Sequence, residues 1–302
     1  MKYLIIGTGG IGGALGGFLA NEGYDVTLIA RGAHLAAIKE NGLKLISGIK
    51  GEITVKANAC TAEDYNETPD VIFVCVKGYS LDDAESLIAK CAGENTVVIP
   101  LLNIFGTGSE LQRRLPGAHV LDGCIYITSY ISAPGEITQG GKLFKIVFGE
   151  RDGSKDEKLE KIAEELIACG IRAELTDDIR RLCFKKYALI SAMAAVGCYY
   201  DANMGEVCAD PAKKEFFIGL SKEIEALAAA MGIPFEDDIV AKNLHMIETA
   251  APETTASVQK DLAKGGKSEL EGLIYEPVRL GKQHNVATPN FAKVAEKFGF
   301  EI

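Results

Sequence analysis

The first sixteen residues, MKYLIIGTGGIGGALG, constrain the fold more than any other part of the chain. The apolar run from Tyr3 to Ile6 is typical of a buried parallel strand, and the Ala/Leu/Gly run that follows the glycines is typical of a helix. Between them lies a G-x-G-x-x-G turn at residues 7–12. A strand, a glycine-rich turn and a helix in this order predict the start of a parallel α/β domain.

The composition of the turn predicts that it binds the pyrophosphate of a dinucleotide. Gly7 permits a tight turn, Gly9 lets backbone N–H groups approach the phosphates, and Gly12 lets the helix pack closely on the strand. An anion bound there lies at a helix N-terminus, where free N–H groups and the helix dipole favour negative charge. The cofactor-binding residues predicted in the turn are Gly7, Thr8, Gly9, Gly10, Ile11 and Gly12.

The end of the second predicted strand, residues 25–30, favours NADPH over NADH. An enzyme that binds NAD carries Asp or Glu near this point, where the carboxylate holds the ribose 2′-OH. Residues 30–34 contain no carboxylate, and Arg31 offers a planar set of N–H donors suited to a 2′-phosphate. The alternative is that Arg31 is an ordinary surface arginine. We predict NADP(H) as the cofactor.

Strand and helix signals alternate as far as residue 176 and then give way to helical signals alone. Late strands are predicted at 119–131, 136–140 and 143–149, with Pro134-Gly135 as a turn. Helices are predicted near 178–199, 211–231, 236–250, 256–264, 268–284 and 290–298. We therefore predict a Rossmann-type, doubly wound parallel sheet over residues 1–176, with an antiparallel tail, and an all-helical domain over 177–302.

Composition excludes several classes of partner. A net charge of −10 argues against nucleic acid and against an anionic membrane surface. No apolar run reaches the roughly 18 residues of a membrane span, and the N-terminus is predicted to be a strand, so we expect a cytoplasmic protein. The histidines and cysteines show no metal-ligand spacing, so no metal site is expected.

A lysine at the head of an apolar stripe is the candidate for acid catalysis. Lys186, Ile190, Ala194 and Cys198 recur at spacing four on the first predicted helix of the second domain. Reduction of a carbonyl requires a proton donor at the developing alkoxide, and Lys186 could supply that proton. The alternatives are that its side chain extends to solvent or pairs with an acid.

Two glutamates form a second cluster in the helical domain. Glu269 and Glu271 open a predicted helix, and Ser257 and Asp261 precede them on one helical face. On this pattern alone, the glutamates are best explained as favourable charges at a helix N-terminus.

Motifs along the whole chain together resemble the ketopantoate reductase (2-dehydropantoate 2-reductase) family. They are GTGGIG at 7–12, Val76-Lys77, Leu102-Asn103 with Gly106-Thr107 and Glu110, Pro134-Gly135, Asp178-Ile-Arg with Phe184-Lys185-Lys186, and Ser268-Glu269-Leu-Glu271. The resemblance implies an NADP-dependent oxidoreductase acting on CH–OH groups, which reduces a 2-oxo acid, most simply 2-dehydropantoate to pantoate in pantothenate and coenzyme A synthesis.

The resemblance also implies roles for individual residues on the substrate side. Lys186 would be the general acid that protonates the substrate carbonyl oxygen. Glu269 would pair with Lys186 or contact the cofactor ribose and the substrate hydroxyl. Ser257 would donate to the substrate carboxylate, and Asn103 would hold both the nicotinamide ribose and the substrate.

On the cofactor side, the resemblance implies that Arg31 and Lys77 contact the adenosine end or the phosphates and that Ser129 lines the nicotinamide. The substrate side departs from the family pattern, because the family commonly places asparagines where this chain has Ile190 and Ala194. An apolar face cannot replace two amide donors, each worth about 1 kcal/mol. The substrate is therefore open.

Three alternatives remain at this point. The protein could be a reductase of the same architecture for a more apolar oxo compound, which Ile190 and Ala194 would suit. It could resemble an opine-type dehydrogenase, although no histidine lies on the Lys186 face. It could be a non-catalytic NADP-binding sensor. The oligomeric state also stays open, a homodimer being one option.

Overall fold

The computed structural model describes residues 1–301 and divides them into two compact units. The first unit consists of Met1–Leu102 and Gly106–Ile179, and the second consists of Asn103–Phe105 with the residues from Arg180 onward. The boundary therefore falls three residues after the predicted one at 176/177. The short segment Asn103–Phe105 leaves the first unit and packs with the second.

The first unit contains a parallel sheet whose faces are both covered. Its strands are β1 (Lys2–Ile6), β2 (Asp25–Ile29), β5 (Asn58–Cys60), β6 (Val71–Val74), β7 (Val97–Pro100) and β8 (His119–Val120), in the order β5-β2-β1-β6-β7-β8. Its helices are α1 (Gly10–Asn21), α2 (Gly32–Asn41), α3 (Leu81–Cys91), α4 (Thr107–Arg114) and α5 (Glu157–Ala168). Tyr3 and Ile5 belong to one buried cluster, while Leu4 and Ile6 belong to another on the opposite face. This burial explains the continuous apolar run in β1 and confirms the Rossmann-type fold.

The remaining strands form a second, mixed sheet instead of a tail on the first. They are β3 (Leu43–Ser47), β4 (Gly51–Val55), β9 (Asp122–Ala133), β10 (Glu136–Gly149) and β11 (Arg172–Leu175). The order is β11-β10-β3-β4, and β9 pairs antiparallel with β10. The two strands predicted at 136–140 and 143–149 are one strand, interrupted by an irregularity between Gly140 and Phe144.

The second unit is helical, as predicted, and residues 180–301 contain no strand. Its helices are α6 (Ile179–Tyr200), α7 (Met204–Ala209), α8 (Pro211–Ala230), α9 (Ile239–Thr249), α10 (Ser257–Ala263), α11 (Glu276–His284) and α12 (Pro289–Lys297). The sequence did not predict α7. A π-helical turn at Glu271–Tyr275 precedes α11 in the segment predicted as one helix over 268–284. Pro277 cannot donate a backbone hydrogen bond, which accounts for the widened turn before it.

Helix α6 is long and apolar enough to cross a membrane by length and composition alone, whereas we expected no apolar run of that length from the sequence. The helix has 22 residues, its most apolar 18-residue window has a mean hydropathy of 1.2, and 56% of that window is buried inside the protein. Phe184, Tyr187 and Ala192 of this helix belong to the core of the second unit. Its apolar character is thus explained by packing against the other helices.

The glycines of α1 allow this helix to pack unusually close to its neighbours. A side chain at Gly12 would collide with the carbonyl oxygen of Gly7, and one at Gly10 would collide with the backbone of Ser129 on β9. A side chain at Gly9 would meet nothing within 4 Å. The turn is therefore tightly enclosed at Gly10 and Gly12 and open at Gly9.

This difference predicts opposite effects of alanine at two adjacent positions. Gly10→Ala should lower the free energy of unfolding by about 1–3 kcal/mol, because backbone must move to admit the methyl group. Gly9→Ala should leave it unchanged or raise it by about 0.4–1 kcal/mol, since φ at Gly9 is −82° and the unfolded chain loses freedom. Urea denaturation of the three proteins measures both values. Equal losses at the two positions would contradict this account of the packing.

Candidate active site

The glycine-rich turn is held at the carboxyl ends of β1 and β2. Gly7 has a φ of +96°, a conformation that favours glycine. The N–H and the side-chain hydroxyl of Thr8 both donate to the carbonyl oxygen of Ile29, at 3.0 and 2.8 Å. Gly9 then caps α1 and accepts the first helical hydrogen bond from Gly13. The open space at Gly9 and the N-terminus of α1 fit the pyrophosphate of a dinucleotide.

Ser129 lies beside this turn, where its backbone contacts Gly10 closely enough to exclude a side chain there. Its hydroxyl oxygen is buried and has no hydrogen-bond partner among residues 1–301. A buried hydroxyl without a partner costs about 1–3 kcal/mol. A polar ligand group next to the turn would supply that partner, which fits the predicted cofactor contact.

A cavity of about 450 Å³ opens from the turn along the carboxyl ends of the strands. It is lined by Gly7, by Ile6 and Ile29 at the ends of β1 and β2, and by Arg31. The Arg31 guanidinium is 81% exposed and lies 3.9 Å from the Asp83 carboxylate. The size and position of the cavity fit the adenosine part of a nucleotide.

Lys77, the remaining cofactor contact implied by the resemblance, follows Val76 after β6. It is half-buried and caps a short 3₁₀ turn at Gly78–Ser80. Val76 and Ser80 both line the cavity. Lys77 therefore directly follows a residue that lines the cavity, and its contact with the cofactor stays a prediction.

In the second unit, the two adjacent lysines of α6 have different partners. The Lys186 ammonium donates to the Asn103 side-chain oxygen at 2.6 Å. The Lys185 ammonium donates to Asp237 at 2.7 Å. Hydrogen bonds from Lys185 and Lys242 lower the pKa of the Asp237 carboxyl to about 2. Lys185 is thus part of a surface ion-pair cluster, whereas Lys186 meets a residue predicted to hold substrate.

Aromatic and backbone contacts hold Asn103 in this place. Phe105 packs edge-on against Phe184, with ring centroids 4.7 Å apart. The Tyr187 hydroxyl donates to the carbonyl oxygen of Gly272 at 2.7 Å, and Gly272 lies directly against the side chain of Ile104. These contacts bring the segment 103–105, the start of α6 and the π-helical turn together.

The two glutamates before α11 also differ. Glu269 is 3% exposed, and its carbonyl accepts from Leu273 within the turn that carries Gly272. Glu271 is 67% exposed along its side chain and pairs with Arg279. Glutamates are rarely buried unless they are paired or bonded. Glu269 is therefore the one whose placement requires an explanation beyond a surface charge.

The other substrate-side positions are spread along the second unit. Ser257 is exposed at the first residue of α10, a helix that packs against Gly197 through Gln259. Ile190 is half-buried, whereas Ala194 is fully buried in the core. Of these two apolar positions, only Ile190 is accessible to a ligand. The contact of Ser257 with a substrate stays a prediction.

Sequence reasoning missed the residues that support these groups. Tyr187 and Gly272 carry no motif, and only tertiary contacts reveal them.

Comparison with known proteins gives matches over both units. Residues 3–153 match the family model "Ketopantoate reductase PanE/ApbA", and residues 178–299 match the model of its C-terminal part. The 2-dehydropantoate 2-reductase of Archaeoglobus fulgidus is 30% identical over 287 residues, covering 94% of this chain and 92% of the relative.

Solved structures resemble the chain over nearly its whole length. A PanE/ApbA family ketopantoate reductase from Ralstonia eutropha has a TM-score of 0.90 at 25% identity, covering 98% of this chain and 97% of the other. A D-mandelate dehydrogenase with NADH and anilino(oxo)acetate has a TM-score of 0.88 at 23% identity, with coverages of 98% and 96%, and shares the fold. The family models account for most of the sequence, and the chain therefore belongs to the ketopantoate reductase family and is an oxidoreductase.

Proposed function

We propose that the protein reduces a small 2-oxo acid to the 2-hydroxy acid with NADPH, and that 2-dehydropantoate, which gives pantoate for pantothenate synthesis, is the first candidate. The observation that carries the proposal is the 2.6 Å hydrogen bond between Lys186 and Asn103, next to the turn that follows buried Glu269. A half-buried lysine oriented by an amide is suited to donate a proton at a fixed point. We expect the enzyme to act in the cytoplasm on a small molecule.

The proposed chemistry divides between the cofactor and the protein. NADPH, when bound, supplies the hydride that forms the new C–H bond at the carbonyl carbon. The Lys186 ammonium stabilises the negative charge that develops on the carbonyl oxygen and donates a proton to it, forming the O–H bond. Asn103 accepts one of the three ammonium N–H bonds, which orients the other two. The neutral amine then regains its proton from water.

Removal of the proposed acid tests this mechanism. Lys186→Ala should lower kcat by about 10²–10⁴ while NADPH affinity changes little, because the ammonium acts on the reacting oxygen. Lys185→Ala is the matched control, since Lys185 pairs with Asp237 at the surface, and its kcat should stay within a few-fold. Steady-state rates at the NADPH absorbance and a separate binding titration give both quantities. A Lys186→Ala enzyme within a few-fold of the parent would show that another group or water supplies the proton.

The preference for NADPH rests on the end of β2. Ala30 follows the strand, so no carboxylate stands where an NAD enzyme would hold the ribose 2′-OH. Arg31 forms an exposed ion pair with Asp83 at 3.9 Å, and such pairs contribute about 0–1 kcal/mol. A 2′-phosphate with two negative charges would displace Asp83 from the guanidinium.

Cofactor affinities test this assignment. NADPH should bind at least about tenfold more tightly than NADH, and Arg31→Ala should remove most of that difference by weakening NADPH binding alone. Arg113→Ala, at an exposed arginine of α4, is the control and should change neither affinity. Titration by nucleotide fluorescence measures the dissociation constants. Equal affinities of the unmutated protein for the two cofactors would refute the assignment.

A second candidate function is reduction of a more apolar 2-oxo acid. The half-buried side chain at position 190 is isoleucine, where an amide would hydrogen-bond a substrate hydroxyl. The fold is shared with a D-mandelate dehydrogenase, whose name specifies an aromatic hydroxy acid. An apolar pocket rejects an added hydroxyl only weakly, whereas a polar pocket strongly rejects its loss.

A substrate panel distinguishes the two candidates. The parent should use ketopantoate and 3-methyl-2-oxobutanoate with kcat/KM values within about 10²-fold of each other. Ile190→Asn should shift the preference toward ketopantoate, and Ile190→Val, which keeps the surface apolar, should not. Because Ala194 is fully buried, the test is confined to position 190. If the parent already discriminates by more than about 10⁴, hydroxyl recognition lies elsewhere, most simply at Glu269 or Ser257.

A further inference from the structure

Asp83 is an acidic residue in the cavity that the proposed function assigns to an anionic cofactor. It belongs to the first turn of α3 and lines the cavity together with Arg31. The Asp83 side chain is 77% exposed, and its carboxylate lies 3.9 Å from the Arg31 guanidinium. Arg31 follows β2 and Asp83 lies beyond β6, the two strands that flank β1 in the sheet. The pair therefore joins two sides of the cavity rim, at the end of the strand that leads into the glycine-rich turn.

The acid next to Asp83 shows that a favourable charge at a helix N-terminus does not by itself account for this position. Asp82 lies in the same turn of α3, where either carboxylate complements the helix dipole. The Asp82 carboxylate pairs with Arg114 at 2.7 Å. Of the two acids, only Asp83 is among the described residues that line the cavity. Adjacent residues of a helix are about 100° apart, which separates the cavity face from the Arg114 face.

The other two charged residues that line the cavity have local hydrogen bonds. The Lys90 ammonium donates to the backbone carbonyl oxygen of Glu63 at 2.8 Å. Hydrogen bonds from its own backbone N–H and from the Thr61 side chain lower the pKa of the Glu63 carboxyl. The distance of 3.9 Å between Arg31 and Asp83 is longer than a hydrogen bond, and so exposed a pair is weak. Arg31 and Asp83 are thus the charges of the cavity that a ligand separates most easily.

The two nicotinamide cofactors differ at one position of the adenosine ribose, which is a 2′-hydroxyl in NADH and a 2′-phosphate in NADPH. A carboxylate accepts a hydrogen bond from the hydroxyl and repels the phosphate, whereas a guanidinium binds the phosphate. Because the Asp83 carboxylate lies 3.9 Å from the Arg31 guanidinium, a group bound to one lies beside the other. The two side chains therefore act in opposite directions on the choice of cofactor.

We propose that Asp83 is a specificity-determining residue, which accepts a hydrogen bond from the ribose 2′-hydroxyl of NADH and weakens binding of NADPH by repelling its 2′-phosphate. The carboxylate that an NAD enzyme carries at the end of β2 is supplied here from α3. The proposal rests on the dinucleotide site of the proposed function. Arg31 creates the preference for NADPH, and Asp83 reduces it, so that NADH binds as a second cofactor.

Two substitutions separate the charge of Asp83 from its hydrogen bond. Asp83→Asn removes the negative charge but keeps an oxygen that accepts from a hydroxyl. Asp83→Ala removes both. Asp82→Asn and Asp82→Ala are the matched controls, because they make the same changes in the same turn of α3 on the side that pairs with Arg114.

The experiment measures dissociation constants for NADPH and NADH by fluorescence titration. We expect both Asp83 variants to bind NADPH about five- to tenfold more tightly than the parent, since the repulsion is gone. Asp83→Asn should bind NADH within about twofold of the parent, whereas Asp83→Ala should bind it about three- to tenfold more weakly. The Asp82 variants should bind both cofactors as the parent does.

The salt dependence provides a readout that a merely structural role would not move. Raising the salt concentration from about 0.05 M to about 0.5 M should shrink the gain in NADPH affinity of Asp83→Asn, because salt screens exposed charges. The loss of NADH affinity in Asp83→Ala should change little, since a hydrogen bond is not screened in this way. Urea denaturation should give near-parent stability for all four variants, whose changed side chains are exposed.

Several results would overturn the proposal. NADPH affinity that stays at the parent value or falls in Asp83→Asn would show that the carboxylate does not oppose the 2′-phosphate. Unchanged NADH affinity in Asp83→Ala would show that it does not hold the ribose. Equal effects of the Asp82 and Asp83 variants would assign both acids to the helix N-terminus alone. These outcomes leave the proposed function standing if the parent binds NADPH, whereas a parent that binds neither cofactor would refute the proposed function itself.

Discussion

The packing of Ile104 and Phe105 against the second unit is the contact on which the arrangement around Lys186 depends. Ile104 and Phe105 are both half-buried, and the apolar surface that they remove from water stabilises this segment independently of the bond from Lys186 to Asn103. Asn103 is therefore placed by its neighbours as well as by its own hydrogen bond. The segment directly follows Leu101 and Leu102 after β7, so the chain enters the helical unit within three residues of the end of this strand.

The position of Lys186 on α6 separates it from the lysine beside it. Successive residues of a helix are about 100° apart, so neighbours cannot share a partner on one face. Lys185 is directed to Asp237, in a cluster that Lys242 joins, whereas Lys186 is directed to Asn103. The aromatic residues at 184 and 187, both fully buried, fix the rotation of the helix at this point. The packing of Phe184 and Tyr187 thus determines which of the two lysines enters the site.

Local patterns were sufficient for the parallel sheet and for the longer helices, because strands covered on both faces and amphipathic helices leave clear periodicities. They were not sufficient for the second sheet, in which β3 pairs with β10 across some ninety residues. No local pattern near either strand indicates which strand it pairs with. The helix α7 has only six residues, which is too short for a periodicity. In the site, the spacing singled out Lys186, but Glu269 and Glu271 stand two residues apart with the same local pattern. Only the tertiary packing around Gly272 buries one and exposes the other.

The glycine-rich turn, in the predicted cofactor site, is a second case in which the local sequence does not reveal the tertiary contacts. Glycines permit the turn to approach a phosphate, but the freedom that permits the approach also leaves the peptide groups without a fixed orientation. In this protein the constraint comes from outside the motif: Ile29 holds the Thr8 N–H and hydroxyl, and Ser129 presses on Gly10. A glycine motif in a sequence therefore indicates that a backbone can approach an anion. The residues that fix the conformation of the turn come from outside the motif, from the end of β2 and from β9.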